Sequence, residues 1–282
     1  MGPTATTTEP KARTTPAAGA ARNLSKPGAR PLPEGLALKI FIVGAPRSGT
    51  SIMLRAMKDV LGLPGFGESH AIPVFQSLVQ TLRTELAKFD QKDQSLMAQL
   101  IPADELEQHL GEFVRKFYHN VYTAGSWVDK SARGRAVSGL PMIESIFPDA
   151  RLIMIKRNGI EVVVSHLKKF EGSSFSHACR TWTQAMRGLL KARNRCRNLL
   201  EIDQYDLQNA TEQVSQQIAT HVGLPDRADD LAKFFTNQRV QGSSTHDQKK
   251  RVRLSDTSWS NAEKNAFRQA CGPTMERFGY EM

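Results

Sequence analysis

The chain has 282 residues, 40% of them hydrophobic and 23% charged, which is the composition of a globular protein with room for one large α/β domain. Its formal net charge of +10 favours acidic partners, such as a nucleotide, a sulfated or phosphorylated ligand, nucleic acid or an anionic surface. Three cysteines, far apart and without Cys-x-x-Cys spacing, indicate neither a disulfide framework nor a zinc site. We therefore expect a reducing, cytoplasmic compartment.

Residues 1–37 are rich in Thr, Ala, Pro and Gly and contain no aromatic residue. Such a segment buries too little apolar surface to offset the entropy of ordering it, which predicts a disordered basic tail. It also lacks the continuous apolar core of a signal peptide or membrane anchor. We expect one domain over residues 38–282 and no membrane span.

The stretch from Lys39 to Met57 has the pattern of a strand, a glycine-bounded loop and a helix. Residues 40–43 form an unbroken apolar run, typical of a strand that is buried on both faces of a parallel sheet. From Thr50 onward the apolar residues recur at helical spacing. A turn from Gly44 to Gly49 would aim backbone N–H groups and the positive end of a helix dipole at one point, where a phosphate can bind.

This loop departs from the nucleoside-triphosphate P-loop in one respect. Gly44 and Gly49 have the P-loop spacing, but the lysine expected after the second glycine is replaced by Thr50. Arg47 supplies a cation inside the loop instead. We interpret the loop as phosphate-binding, and the alternative is a glycine-rich turn without a ligand.

The rest of the chain alternates between short apolar strands and longer helices. Strands are predicted at residues 126–130, 151–155 and 199–202, and helices at 72–86, 104–121, 142–147, from 159 onward, and at 175–197, 208–222 and 261–278. Residues 239–253 are predicted to be a flexible loop. The alternation predicts a single-domain α/β fold with a P-loop-like parallel sheet and helices on both faces.

Cationic residues follow several of these strands. Arg47, Lys130 and Arg157 come at or just after strand ends, with Glu68 behind the first helix. Ligands of parallel sheets bind outside the carboxyl ends of the strands, so the three cations together predict an anion site. Each one alone could be a solvated loop residue.

Two alternative functions were weighed against this site. A P-loop kinase or NTPase would end a neighbouring strand with an aspartate that helps to hold Mg²⁺, whereas here Lys156 and Arg157 follow the strand. A basic nucleic-acid-binding protein would carry a recognised motif or basic residues interleaved with aromatic ones, and the sequence has neither.

The motifs resemble those of the sulfotransferases that use 3′-phosphoadenosine 5′-phosphosulfate (PAPS), particularly the tyrosylprotein and bacterial members. Residues 45–51, Ala-Pro-Arg-Ser-Gly-Thr-Ser, are similar to the 5′-phosphosulfate-binding loop of that family, and residues 156–165 to its 3′-phosphate-binding segment. Gly67-Glu68-Ser69, Val128-Asp129-Lys130-Ser131 and the closing residues 275–280 match as well. The family often has a proline after the lysine of the mid-chain motif, where this chain has Ser131-Ala132-Arg133.

The resemblance implies transfer of a sulfuryl group from PAPS to an acceptor hydroxyl or amine by in-line displacement, without a metal. Donor binding falls to the loop and to the later segment, through Arg47, Ser48, Gly49, Thr50, Ser51, Arg157 and Ser165. Arg47 and Lys130 would neutralise the sulfuryl group and the leaving phosphate. Glu68 is the expected general base, with His70 as its rival.

The acceptor is left open by the sequence among carbohydrate, peptide, lipid and small alcohol. We expect the helices between residues 72 and 121 and the loop at 239–253 to shape its pocket. The basic run Lys249-Lys250-Arg251 in that loop is either a third phosphate contact or a solvated surface.

Overall fold

A computed structural model describes residues 31–88, 103–123, 125–238 and 250–282. The predicted tail therefore lies outside the described residues up to residue 30. Of the loop predicted at 239–253, residues 239–249 also lie outside them, and residues 250–253 are described and form neither helix nor strand. The domain boundary at residue 38 stays a prediction. Just before it, the backbone oxygen of Pro31 accepts a hydrogen bond from Arg227 (2.9 Å), and Leu32 packs against the core.

Four strands form one sheet in the described part of the chain. They are β1 (Lys39–Gly44), β2 (Trp127–Ser131), β3 (Arg151–Lys156) and β4 (Leu199–Asp203). Their order is β2-β1-β3-β4 and every pairing is parallel, which confirms the predicted parallel sheet. Val43 lies opposite Ser131 and Met154, so the carboxyl ends of the three neighbouring strands meet at one edge.

The described helices precede, separate and follow these strands. They are α1 (Thr50–Asp59), α2 (Ala71–Leu86), α3 (Ala103–Val121), α4 (Gly134–Ser138), α5 (Leu140–Ile146), α6 (Gly159–Lys169), α7 (Phe175–Arg193), α8 (Gln204–Asn209), α9 (Thr211–His221), α10 (Ala228–Asn237) and α11 (Asn261–Arg277). Single 3₁₀ turns occur at Pro225–Arg227 and Leu254–Asp256.

Each sheet face carries its own apolar core, because side chains alternate along a strand. Phe41 and Val43 of β1 belong to a core shared with α2–α7 and α11. Ile40 and Ile42 belong to a second core shared with α1, α9 and α10. The predicted coverage of the sheet by helices on both faces is confirmed.

Several predicted helix boundaries were wrong. The helix predicted to reach residue 197 ends at Arg193, where the chain turns toward β4 and Arg193 pairs with Glu201. The helix predicted at 208–222 is divided into α8 and α9.

Helices α4 and α10 were not predicted. α4 has only five residues and packs against α7 at a glycine, where a Cβ on Gly134 would lie 3.0 Å from the Cβ of Gln184. We therefore attribute α4 to this tertiary contact and not to a hydrophobic periodicity in its sequence. The buried pair Leu231 and Phe235, at helical spacing, is the sequence signal for α10.

Candidate functional site

The loop between β1 and α1 is a tight turn that depends on its glycines. A Cβ on Gly44 would lie 2.6 Å from the backbone oxygen of Ile155, so no larger residue fits there without displacement. Gly49 has φ 105°, and Arg47 has φ 72°, which is uncommon for a residue with a side chain. The backbone N–H and the hydroxyl of Ser48 both donate to the backbone oxygen of Ala45, at 3.2 and 2.7 Å. The side chain of Ser48 thus closes the loop.

Helix α1 begins directly at the end of this loop. No side chain of the described residues caps its N-terminus. The first N–H groups of a helix have no intrahelical partner, so those of Thr50 and Ser51 remain available to an anion. The strand, the tight turn and the helix that the sequence predicted are present, and phosphate binding at the turn stays a prediction.

Arg47 and Arg157 lie against each other at this loop. The Arg47 Nε donates to Ser165 Oγ (3.0 Å), and the Arg157 Nη1 donates to the backbone oxygen of Arg47 (3.1 Å). Burial, and then the positive charge of Arg157, lower the pKa of Arg47. Within the described ranges no carboxylate is paired with Arg47. A bound anion would relieve the repulsion between the two guanidinium groups.

Arg157 is held in place by its own neighbours. Its Nε donates to Glu161 Oε2 (2.7 Å), and its backbone oxygen accepts from the indole of Trp182 (3.0 Å). The other oxygen of Glu161 accepts from the backbone N–H of Val252 (3.3 Å). Sequence reasoning missed Glu161, although the i,i+4 spacing of Arg157 and Glu161 at the start of α6 was a usable signal.

Lys130 and Glu68 form an ion pair on the other side of the loop. The Lys130 Nζ lies 2.7 Å from Glu68 Oε2 and 3.3 Å from Ser51 Oγ, and its side chain is only 6% exposed. The other carboxylate oxygen of Glu68 accepts from the backbone N–H of Ala132 (2.5 Å). His70 Nδ1 lies 3.6 Å from that oxygen. The structure therefore brings the predicted base and its rival to the same place.

The predicted site residues fall into two connected groups. One group contains Arg47, Arg157 and Ser165, and the other contains Ser51, Lys130 and Glu68. The phosphate loop belongs to both, because Arg47 lies within it and Ser51 just after it. These residues come from four separate parts of the chain, at residues 47–51, 68, 130 and 157–165.

A buried carboxylate that sequence reasoning missed lies behind Glu68. Asp129, directly before Lys130 on β2, is 1% exposed and accepts hydrogen bonds from Ser69 Oγ (2.8 Å) and the Tyr118 hydroxyl (3.0 Å). Burial raises the pKa of Asp129 to about 6, although hydrogen bonds from the hydroxyls oppose this shift. The available signal was a charged residue inside a predicted strand.

Of the basic run at 249–251, Lys249 lies outside the described residues. Arg251 is paired with Asp203 at the carboxyl end of β4, with both Nη atoms 3.2–3.3 Å from Oδ2. Its guanidinium lies 4.5 Å from the Tyr205 ring centre and 5.0 Å from the Tyr280 ring centre. Arg251 is therefore paired with a carboxylate, and its side chain is still 32% exposed.

Two features are absent from the described residues. No group of three or more His, Cys, Asp and Glu side chains among them is placed to hold a metal ion. None of the described helices combines the length and apolar character needed to cross a membrane.

The fold and the site together define an α/β protein whose glycine-bounded loop lies at the carboxyl edge of a parallel sheet, the edge where ligands of such sheets bind. A model of the sulfotransferase family matches residues 39–229, well over half of the chain. The chain belongs to the sulfotransferase family, which confirms the resemblance found in the sequence and supports a sulfotransferase activity.

Solved structures of sulfotransferases have a similar fold. The sulfotransferase STF9 from Mycobacterium avium is 13% identical, with 86% of this chain and 77% of that chain covered and a TM-score of 0.52. The sulfotransferase domain of the Synechococcus PCC 7002 olefin synthase is 18% identical, with 93% and 98% covered and a TM-score of 0.48. The sulfotransferase domain from the curacin biosynthetic pathway is 17% identical, with 88% and 99% covered and a TM-score of 0.46. No curated protein matches this chain in sequence.

Proposed function

We propose that this protein transfers a sulfuryl group from PAPS to an acceptor hydroxyl or amine. The observation that carries the proposal is that the Arg157 guanidinium binds the backbone of Arg47 beside the uncapped N-terminus of α1, so that two arginines close enough to repel each other lie at the loop. Such a site suits a ligand with two anionic ends, because backbone N–H groups and planar guanidinium forks both bind phosphate and sulfate. Family membership supports the reaction class.

The donor-binding roles follow from these contacts. Backbone N–H groups between Arg47 and Ser51 bind the 5′-phosphosulfate, and Arg157 with Ser165 binds the 3′-phosphate. In the described contacts Ser165 accepts from Arg47. The serine hydroxyl can accept from Arg47 and donate to a phosphate oxygen at the same time, so the two roles are compatible.

The residues around Glu68 and Lys130 carry the transfer itself. Glu68 removes the proton of the acceptor as the acceptor oxygen or nitrogen forms a bond to sulfur. The bond between sulfur and the bridging phosphate oxygen breaks in the same in-line displacement, and Lys130 and Arg47 stabilise the charge that the leaving phosphate keeps. Lys130 contacts both Glu68 and Ser51, so one cation lies between the proposed base and the proposed donor site.

Calorimetry with adenosine 3′,5′-bisphosphate, the product left by the donor, tests the proposal. We expect binding that is unchanged by EDTA, because side-chain cations and backbone donors provide the positive charge. If chelation abolishes binding, or if ATP with Mg²⁺ binds more tightly, the P-loop kinase or NTPase alternative replaces this one. Incubation with ³⁵S-labelled PAPS and a pool of carbohydrates, tyrosyl peptides, lipids and small alcohols then identifies the acceptor class by what becomes labelled.

A further inference from the structure

The segment that carries Glu68 runs along the free edge of the sheet. β2 is the edge strand, since the sheet order begins with it. The backbone N–H of Val128 donates to the backbone oxygen of Pro64 (2.9 Å), and the N–H of Ser69 donates to the backbone oxygen of Lys130 (3.0 Å). Residues 64–69 therefore cover the polar edge of β2, which would otherwise lack partners.

Two adjacent residues of this segment bind two adjacent residues of β2. Glu68 pairs with Lys130 (2.7 Å), and Ser69 Oγ donates to Asp129 (2.8 Å). Successive side chains of a strand point to opposite faces, so Lys130 faces the phosphate loop while Asp129 faces the helices on the other side. The segment is thus held from both faces of the sheet.

Ser69 is the centre of this arrangement. Besides its bond to Asp129, its hydroxyl oxygen accepts from the backbone N–H of Ala71 (3.2 Å) at the start of α2 and lies 3.2 Å from Ser131 Oγ. Asp129 in turn accepts from Tyr118 of α3 (3.0 Å). Ser69 and Asp129 therefore tie the segment, β2, α2 and α3 together at one buried point.

The backbone next to Ser69 is in a strained conformation. His70, the residue that precedes α2, has φ 53°, a left-handed conformation that a residue with a side chain adopts only when its surroundings enforce it. The hydrogen bonds of Ser69 on one side and the start of α2 on the other are the contacts that enforce it.

From these contacts we infer that Asp129 is a positioning residue, which fixes Glu68 at the phosphate loop by holding Ser69. The inference rests on the proposed function only in giving Glu68 the role of the base. Asp129 itself faces away from the phosphate loop and touches no reacting group. Its removal frees the segment at 67–70, so that Glu68 loses its fixed distance to Lys130 and Ser51.

Hydrogen exchange tests this inference without reference to activity. Asp129→Ala and Ser69→Ala should each raise exchange at the amides of residues 67–71 and at Ala132, whose N–H is bonded to Glu68. Asp129→Asn keeps one acceptor oxygen and should give an intermediate result. Ser215→Ala, at a buried serine of α9 on the other sheet face, is the matched control and should leave these amides unchanged. Wild-type exchange in a folded Ser69→Ala variant overturns the inference, even if Asp129→Ala fails to fold.

A double-mutant cycle with ³⁵S transfer to the acceptor pool tests the link to Glu68. Glu68→Gln should lower kcat by on the order of a hundredfold, and Asp129→Asn by roughly tenfold, while the affinity for adenosine 3′,5′-bisphosphate stays within about twofold. In the Glu68→Gln background, Asp129→Asn should lower kcat little further, because its effect passes through Glu68. A further loss of roughly tenfold in the kcat of the double variant overturns the positioning role. If Glu68→Gln turns over normally and His70→Ala is inactive, the base in the proposed function is His70 and not Glu68. The hydrogen-exchange result does not depend on which residue is the base.

Discussion

The guanidinium of Arg157 has two partners among the described residues, and they limit what the residue can do. Its guanidinium contacts the phosphate loop through the backbone oxygen of Arg47 and pairs with Glu161. Both contacts fix the direction of the planar fork, which suits two-point binding of a phosphate. Arg157 also binds the backbone of Arg47, whose φ of 72° is in the left-handed region.

Arg157→Ala should weaken binding of adenosine 3′,5′-bisphosphate by about 2 to 5 kcal/mol, because a partly desolvated phosphate loses a charged donor pair. Arg157→Lys keeps the charge but not the planar fork, so its affinity should lie between those of Arg157→Ala and the wild type. Calorimetry measures both. Arg193→Ala, which removes an arginine paired with Glu201 at the far end of α7, is the control and should bind normally. Unchanged affinity in Arg157→Ala would count against the 3′-phosphate assignment.

At the scale of elements, the site depends on how closely β1, the loop and α1 approach β3. The position of Gly44 decides this approach, since a Cβ there would meet the Ile155 backbone at 2.6 Å, Ser48 Oγ at 2.6 Å and Thr50 Cγ2 at 2.9 Å. The first of these atoms belongs to β3, the second to the loop and the third to the start of α1. The phosphate site and the packing of the sheet therefore share one residue.

Gly44→Ala should lower the free energy of unfolding by about 1 to 3 kcal/mol, the usual cost of adding a methyl group to a packed interior. Adenosine 3′,5′-bisphosphate should also bind more weakly, because Ser48 and Thr50 are displaced. Urea unfolding and calorimetry measure the two effects. Gly111→Ala, within α3, is the matched control. Its Cβ would lie 3.5 Å from the Ile146 side chain, an ordinary van der Waals distance. A fully stable Gly44→Ala variant with normal binding would show that the loop tolerates the methyl group.

At the scale of the whole molecule, the sheet is the frame that brings together side chains from distant parts of the sequence. Glu68 and Ser69 are attached to the edge strand, Arg47 to the neighbouring strand, and Arg157 to the one after it. A single buried carboxylate, Asp129, connects this frame to α3 through Tyr118. The ionisation of Asp129 therefore bears on the stability of the whole fold.

The pKa of Asp129 is raised from 3.8 to about 6 in the folded protein, so the folded state binds a proton more tightly than the unfolded state. Its contribution to the free energy of unfolding is fully present below about pH 3.8 and is lost as the pH rises through about 6. Asp129→Asn removes this ionisation. The stability of the variant relative to the wild type should rise between pH 4 and 7, by at most about 3 kcal/mol. Urea unfolding of both proteins across this pH range measures the difference. If the free energies of unfolding of the variant and the wild type change in parallel with pH, the prediction is wrong.

The sequence by itself determined the parts of this protein that depend on local patterns. Apolar runs predicted β1 and β3 within a residue or two, and glycine spacing predicted the tight turn between β1 and α1. Strand and helix alternation predicted a parallel sheet covered on both faces, and the motifs pointed to the family. These features were readable because periodicity and turn chemistry act over a few residues.

Only the tertiary structure decided which side chains meet. Arg47 bonds to Ser165, 118 residues away, and Ser69 to Asp129, 60 residues away. No local pattern reports such partners, because they depend on strand order and on which strand edge the chain covers on its return. The short helix α4 was decided in the same way, by the close packing of Gly134 against α7. The packing of the chain decides how the strand ends are arranged, and this arrangement decides which side chains are in contact.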